Sequence, residues 1–214
     1  HIFNTKDFLV PDIVLEGGSI ESDGKGTVLT TTNCLLSPNR NPHLTQNEIE
    51  QKLKDLFGLE RVLWLGSGHL IGDDTDAHID TVARFCDEHT IAYVQCTDRN
   101  EVHYVDLKKM EMELNQLKTI DGQSYRLISL PMADAVFASD DNRRLPATYA
   151  NFLIMNEVVL MPTYQLRQDE EAINQLQTAF PSKKVIGVDC SALILQHGSL
   201  HCITMQFPKG SIHF

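Results

Sequence analysis

Residues 81–96, TVARFCDEHTIAYVQC, contain two apolar runs that are rich in β-branched and aromatic residues and are separated by a polar turn. This pattern predicts a β-hairpin formed by Thr81–Cys86 and Ile91–Cys96. Residues 103–118 follow with apolar side chains at helical spacing, which predicts a helix. Tyr125–Leu130 then predicts a strand that stops before a proline. The predicted order is therefore strand, strand, helix, strand.

The same order of elements is predicted on both sides of this segment. Upstream, strands are predicted at residues 12–16, 27–31 and 61–65. A helix that begins with a capping box is predicted at residues 45–57, between the second and third of these strands. Downstream, the corresponding elements are predicted at residues 150–155, 158–161, 168–180 and 184–188. A further strand, Leu200–Gln206, is predicted to start another unit.

The repeat has a period of about 70 residues, which is longer than the repeats of common solenoids. It predicts an α/β fold assembled from ββαβ units. The alternative is an ordinary α/β domain in which the order of elements recurs by coincidence.

Charge and composition limit the partners. Lys and Arg number 18 against 29 Asp and Glu, giving a net charge of −11. This balance disfavours nucleic acid, whose binding depends on basic side chains, and favours a small cation. The chain has no apolar run long enough for a membrane span and no signal-peptide pattern, so a cytoplasmic location is expected. Five widely spaced cysteines without a CxxC pair indicate reduced thiols rather than a structural zinc site.

An acidic segment, Gly72–Asp80, precedes the central hairpin and contains four carboxylates and a histidine. In an extended chain His78 and Asp80 point to the same side, an arrangement that suits proton transfer. The segment also resembles a hard-metal site formed by Asp73, Asp74, His78 and Asp80. A solvated acidic loop is the third interpretation.

Two further segments contain polar residues next to apolar strands. Cys202 follows His201, but neighbouring residues on a strand face opposite ways, so His201 is not expected to be its partner. His78 could instead activate the thiol across space. A buried, inert cysteine is the alternative. Glu16 is predicted to end a strand just before Gly17 and Gly18, which let the backbone turn closely behind it.

Four stretches together resemble one family. They are VLEGGSIESDGKGTVLTTTNCLLSPNRNP (Val14–Pro42), DDTDAHID (Asp73–Asp80), NFLIMNEVVLMPTY (Asn151–Tyr164) and GSLHCITMQFP (Gly198–Pro208). They are similar to the corresponding parts of agmatine deiminases and of the Porphyromonas-type peptidylarginine deiminases. The resemblance extends over nearly the whole chain.

The resemblance implies a single domain with a pseudo-fivefold α/β-propeller fold, of which residues 1–214 hold about three units. It implies that Cys202 is the nucleophile and His78 the general acid and base. Asp80, Glu16 and Asp74 are expected to contact a guanidinium substrate. No metal, organic cofactor, nucleic acid or membrane partner is expected, and a homodimer is the candidate assembly.

The sequence departs from the family pattern at two places. The family's Trp-x-Arg-Asp-x-Gly-Pro motif is absent, and Trp64 is the chain's single tryptophan, so the chain is expected to lack N-terminal blades and to be inactive or unstable alone. The family's Gly-Gly-Gly-Asn is Gln196-His197-Gly198-Ser199 here. Three reactions stay open: agmatine hydrolysis to N-carbamoylputrescine and ammonia, conversion of protein arginine to citrulline, and metal-dependent hydrolysis at the acidic segment.

Overall fold

Three three-stranded sheets and one two-stranded ribbon form the scaffold in the computed structural model, which describes residues 9–207 and 210–211. The strands are β1 (Ile20–Ser22), β2 (Thr27–Thr31), β3 (Arg61–Leu65), β4 (Ala83–Asp87), β5 (Thr90–Gln95), β6 (Arg126–Pro131), β7 (Val136–Phe137), β8 (Arg144–Leu145), β9 (Leu153–Ile154), β10 (Val158–Thr163) and β11 (Lys184–Asp189). The α-helices are α1 (Thr32–Leu35), α2 (Gln46–Phe57), α3 (Tyr104–Gln116) and α4 (Asp169–Gln177).

Each three-stranded sheet is one ββαβ unit, so the predicted repeat is confirmed. In each unit the first two strands pair antiparallel, and the third strand pairs parallel to the second after a helical crossover. The sheet orders are β1-β2-β3, β4-β5-β6 and β9-β10-β11. The chain is therefore a mixed α/β protein built from three copies of one topology.

The central unit matches its prediction closely. β4 and β5 form the expected hairpin, with Phe85 opposite Ile91. The helix α3 buries Leu107, Met110 and Leu114, which recur at helical spacing and pack into the main core. The ribbon of β7 and β8 was not anticipated from the sequence.

In the first unit, α2 begins and ends as its capping signals indicate. Thr45 and Glu48 form a reciprocal capping box, and Gly58 ends the helix in the left-handed conformation with φ 65°. The strand predicted at residues 12–16 is wrong. The side chain of Asn41 bonds both the N–H and the carbonyl of Val14, at 2.8 and 2.9 Å, so a side chain satisfies the backbone there.

The structure differs from the prediction at the start of the third unit and in the further unit predicted after it. The first strand of the third unit is only Leu153–Ile154. The strand predicted at Leu200–Gln206 is also wrong, because His201–Ile203 forms a single 3₁₀ turn. Asn151 explains both differences. Its backbone and side-chain oxygens accept the N–H of His201, at 3.2 and 2.9 Å, which leaves neither segment free to extend a sheet.

Within residues 9–207, the apolar interior consists of two clusters. The larger one joins the central and third units, with Tyr149, Phe85 and Phe152 among its largest buried side chains. The smaller one lies beneath α2, where Ile49 and Leu53 pack with neighbours on β2 and β3. Within the described ranges, no helix has the length and apolarity needed to cross a membrane.

Candidate active site

The sequence-predicted site residues converge on one cavity of about 720 Å³. Glu16, Asp74, His78, Asp80 and Cys202 all line it, although they come from three distant parts of the chain. Three 3₁₀ turns deliver most of them, at Gly17–Ser19, Ile79–Thr81 and His201–Ile203. Cys202 and His78, which are 124 positions apart in the sequence, therefore line the same cavity.

Tight packing of the first two turns fixes the position of His78. Gly18 lies against it so closely that an added Cβ would be 2.5 Å from the His78 Nδ1 and 2.9 Å from the Asp80 Oδ1. Only glycine permits this approach. His78 Nε2 lies 3.8 Å from a carboxylate oxygen of Glu16 and, among the described residues, has no hydrogen-bond partner. A buried ring nitrogen is therefore left for proton transfer.

The loop before His78 is held from inside the protein. Asp73 accepts hydrogen bonds from Thr75 and from the N–H of Ala77, so its carboxylate is used within the loop. Thr31 donates to the carbonyl of Ala77 at 2.7 Å. Asp76 and Ala77 both adopt left-handed backbone conformations, with φ 56° and 65°. Such conformations are costly for residues other than glycine, and these contacts maintain them.

Arg40 positions Glu16, and the sequence patterns did not predict this role. Its Nε donates to the Glu16 carboxylate at 2.7 Å, and its Nη2 donates to the Thr75 carbonyl at 2.7 Å. Partial burial alone would raise the pKa of Glu16, but the hydrogen bond and the charge of Arg40 outweigh it and lower the pKa. An arginine within Ser37–Pro42, between prolines in a loop, was the available signal.

Asp80 is almost fully buried and is bonded on one side only. Its Oδ2 accepts from His201 Nδ1 at 2.7 Å and from Asn151 Nδ2 at 3.2 Å. Its Oδ1 has no hydrogen-bond partner among the described residues. A buried carboxylate oxygen without a partner costs free energy, so this atom is the natural place for a ligand N–H.

Cys202 lies in the cavity wall with its sulfur 3.5 Å from Asn151 Oδ1. Loss of solvation and the negative charge of Asp80 raise the pKa of this thiol above its usual value. His201 is not its partner, as expected, since the two ring nitrogens of His201 face Asp80 and Arg84. Asn151 begins the Asn151–Tyr164 stretch, and its residue type alone predicts no function.

The other four cysteines are less accessible. Cys34, Cys96 and Cys190 are buried and Cys86 is half-buried, whereas Cys202 is exposed. Burial raises the pKa of Cys34 and of Cys86 to about 12. All five thiols are free. Cys202 is therefore the cysteine whose position suits chemistry with a ligand.

The acidic segment does not assemble the metal site considered from the sequence. Asp73 is committed to its own loop, and Oδ2 of Asp80 is bonded to His201 and Asn151. In the described part of the chain, the group whose ligand atoms lie within 4.8 Å of one another is instead Glu16, Cys34 and His78. Arg40 forms an ion pair with the Glu16 carboxylate, and burial raises the pKa of the Cys34 thiol to about 12. Both features disfavour metal binding there.

The cavity carries negative charge. Glu16, Asp74 and Asp80 line it, and no Lys or Arg occurs among its described lining residues. Asp74 is exposed at its wall. A cationic ligand is therefore favoured over an anionic one.

The model of one protein family, Porphyromonas-type peptidyl-arginine deiminase, matches residues 1–208. A Marinomonas sp. (strain MWYL1) protein that provisionally carries the name agmatine deiminase is 40% identical over 212 residues, covering 92% of this chain and 57% of that protein. The chain thus spans less than two thirds of this relative.

Two solved structures are also similar. A provisionally named arginine deiminase from Porphyromonas gingivalis shares 54% identity at a TM-score of 0.90, over 94% of this chain and 59% of that one. A serine-for-cysteine variant of C. jejuni agmatine deiminase, solved with substrate bound, shares 44% identity at a TM-score of 0.84, over 89% and 55%. The chain belongs to the Porphyromonas-type peptidyl-arginine deiminase family.

Proposed function

We propose that the protein hydrolyses a guanidinium group through a covalent intermediate on Cys202, with agmatine as its substrate. The observation that carries this proposal is the convergence of a thiol, an imidazole and carboxylates on one acidic cavity. The names of the relatives agree with it.

Substrate binding is assigned to the carboxylates. The free Oδ1 of Asp80 and the carboxylate of Glu16 accept N–H groups of the planar guanidinium, which sets its orientation. Asp74 contributes charge at the cavity wall. The bound cation then offsets the negative charge of Asp80 next to Cys202, so binding lowers the pKa that the empty site raises. Substrate binding thereby favours the thiolate.

The reaction then proceeds in two balanced halves. The thiolate of Cys202 attacks the guanidinium carbon and forms a C–S bond and a tetrahedral adduct. Protonated His78 donates its proton to the departing nitrogen, the C–N bond breaks, and ammonia departs. An S-alkylthiouronium then remains on Cys202. Neutral His78 next takes a proton from water as its oxygen attacks the same carbon. The C–S bond breaks, which regenerates the thiolate, and the new hydroxyl gives up its proton to ammonia or solvent as neutral N-carbamoylputrescine is released.

The cavity's charge favours agmatine over an arginine that carries a free carboxylate. A substrate carboxylate needs a cationic partner, and the described lining residues supply neither Lys nor Arg. Peptidyl-arginine lacks that free carboxylate and is the second candidate, which the family name supports.

We further infer that the three ββαβ units belong to a pseudo-fivefold propeller. The turns before β1 and β4, Gly17–Ser19 and Ile79–Thr81, both contribute residues to the cavity. Asn151, which precedes β9, bonds Asp80 of the cavity, as expected for units arranged around one axis. A homodimer and a cytoplasmic location stay predictions.

A comparison of substrates tests the proposed activity. The whole natural protein is incubated with agmatine, free arginine or an arginine-containing peptide, and ammonia and the ureido product are measured. We expect turnover of agmatine, at a kcat/KM at least about tenfold above the others. A higher kcat/KM for the peptide would indicate that the protein deiminates protein arginine instead. Turnover that is abolished by EDTA but unaffected by thiol alkylation would contradict cysteine catalysis.

A further inference from the structure

A row of four side chains runs from the cavity into the protein interior. Asp80 Oδ2 lies 2.7 Å from His201 Nδ1, and His201 Nε2 lies 3.4 Å from Arg84 Nη2. Arg84 Nε in turn lies 2.5 Å from Glu21. Asp80, Arg84 and Glu21 are all buried. The first unit thus supplies Glu21, the second supplies Asp80 and Arg84, and the segment beyond the third supplies His201.

The hydrogen-bond chemistry of this row determines which nitrogen of His201 carries a proton. An arginine guanidinium donates hydrogen bonds and does not accept them, so the nitrogen that faces Arg84 must be the acceptor. The other nitrogen, Nδ1, must then carry the proton and donate it to Asp80. A proton on Nε2 would instead point at a guanidinium and leave two lone pairs, on Nδ1 and on Asp80 Oδ2, facing each other.

Arg84 is itself held in place. Its Nη1 donates to the carbonyl of Phe152 at 2.6 Å, and its guanidinium lies over the Phe152 ring, 5.1 Å from the ring centre. Glu21 balances its charge. These contacts leave Arg84 little freedom to turn away from His201.

We propose that His201 is a positioning residue for the reaction, acting through Asp80. It occupies Oδ2 and fixes the rotation of the carboxylate, so that Oδ1 is presented to the substrate. This inference rests on the proposed function, because it assigns Oδ1 to the guanidinium. The unpartnered state of Oδ1 beside a fully bonded Oδ2 is the asymmetry that supports it.

Two substitutions separate positioning from packing. The amide nitrogen of His201→Asn can occupy the place of Nδ1 and keep the bond to Asp80, whereas His201→Phe fills the space and donates nothing. We expect His201→Phe to raise the KM for agmatine about tenfold or more and His201→Asn to stay within about threefold of the parent. His89→Phe, at an exposed histidine of the central hairpin, is the matched control and should leave both constants unchanged.

Unchanged KM in His201→Phe, or an equal loss in both His201 variants, would overturn the inference. A role in packing alone would lower the folded fraction and the apparent kcat without moving KM.

A second measurement is made on the unsubstituted protein and does not depend on its activity. Nitrogen-15 NMR of the histidine side chains at pH 8, with the His201 signals assigned by their loss in His201→Asn, should show the proton on Nδ1. A proton on Nε2 would overturn the inference even in an active enzyme. If the proton is on Nδ1 but the protein hydrolyses neither agmatine nor peptidyl-arginine, the hydrogen-bond arrangement of His201 is supported and the proposed function is refuted.

Discussion

Asn151 Oδ1 lies 3.5 Å from the sulfur of Cys202. The same fully buried side chain donates from Nδ2 to the Asp80 carboxylate at 3.2 Å, and its Oδ1 also accepts the N–H of His201 at 2.9 Å. One amide therefore connects the assigned nucleophile to the assigned substrate-binding carboxylate. A residue with both a donor and an acceptor is required at this position.

Asn151→Asp should disturb the site more at pH 8 than Asn151→Ala. The new carboxylate keeps the acceptor but replaces the donor, so it places like charge against Asp80. The alanine variant leaves buried groups unpaired, at a cost of about 1–3 kcal/mol each. Urea unfolding at pH 8 and pH 5 measures the difference. The aspartate variant should recover stability relative to alanine at the lower pH, and a constant gap between the two would contradict this reading of the contact.

Gly18→Ala should reduce turnover by about tenfold to a hundredfold, because small displacements of catalytic groups carry that cost. The added methyl would clash with His78 Nδ1 and Asp80 Oδ1. Gly17→Ala is the matched control, since a Cβ there has nothing within 4 Å. Steady-state kinetics of the two variants provide the test. Equal activity of both would show that the close approach of Gly18 has no catalytic importance.

The sequence predicted the scaffold well where local signals and packing agree. The α2 capping box, the β4–β5 hairpin and β3 all lie within one or two residues of their predicted bounds. The strand predictions were wrong where the side chain of a residue distant in sequence hydrogen-bonds to the backbone. Asn41 did so near Val14, and Asn151 did so near His201. Such contacts depend on the tertiary fold and leave no periodic signal in the sequence.

The candidate site was predictable only where residue type alone suggests chemistry. Cys202, His78 and Asp80 were identified by their motifs, and the structure brings them to one cavity. Arg40 and Arg84 were missed, because an arginine in a loop or on a strand is ordinarily a surface residue. Their burial against Glu16 and Glu21 emerges only when units distant in sequence pack together.

The thiol of Cys202 should titrate above its ordinary range of about 8.5 in the absence of substrate. Loss of solvation and the charge of Asp80 both raise its pKa. The rate of iodoacetamide alkylation should therefore still be rising at pH 9, because the thiolate is the reactive form. Cys202→Ala measures the background from the other cysteines. A plateau reached below pH 7 would mean that the empty site already stabilises the thiolate, contrary to the substrate-assisted scheme.

His103 should make stability depend on pH. Its buried ring accepts the N–H of Ile71 at 2.8 Å, and burial lowers its pKa despite the contact with Glu101. The unfolded chain therefore takes up the proton first, near pH 6.5. The stabilising contribution is complete above that pH and is lost as the pH falls through it towards the folded pKa.

The variant His103→Gln removes this titration while keeping an acceptor for Ile71. The free energy of unfolding, measured from pH 8 to pH 5, should fall less in this variant than in the parent. His89→Gln, at an exposed site, should follow the parent. Parallel curves for the parent and His103→Gln would contradict the assignment.

Covalent capture of the substrate on Cys202 tests the central claim most directly. The whole natural protein and its His78→Ala variant are mixed with agmatine, quenched in acid and analysed by peptide mass spectrometry. We predict an adduct on Cys202 with the mass of agmatine less ammonia, absent from Cys202→Ser, which should still bind agmatine but lose turnover by several orders of magnitude. Near-normal turnover by Cys202→Ser, with no adduct on Cys202 in the parent, would contradict covalent cysteine catalysis.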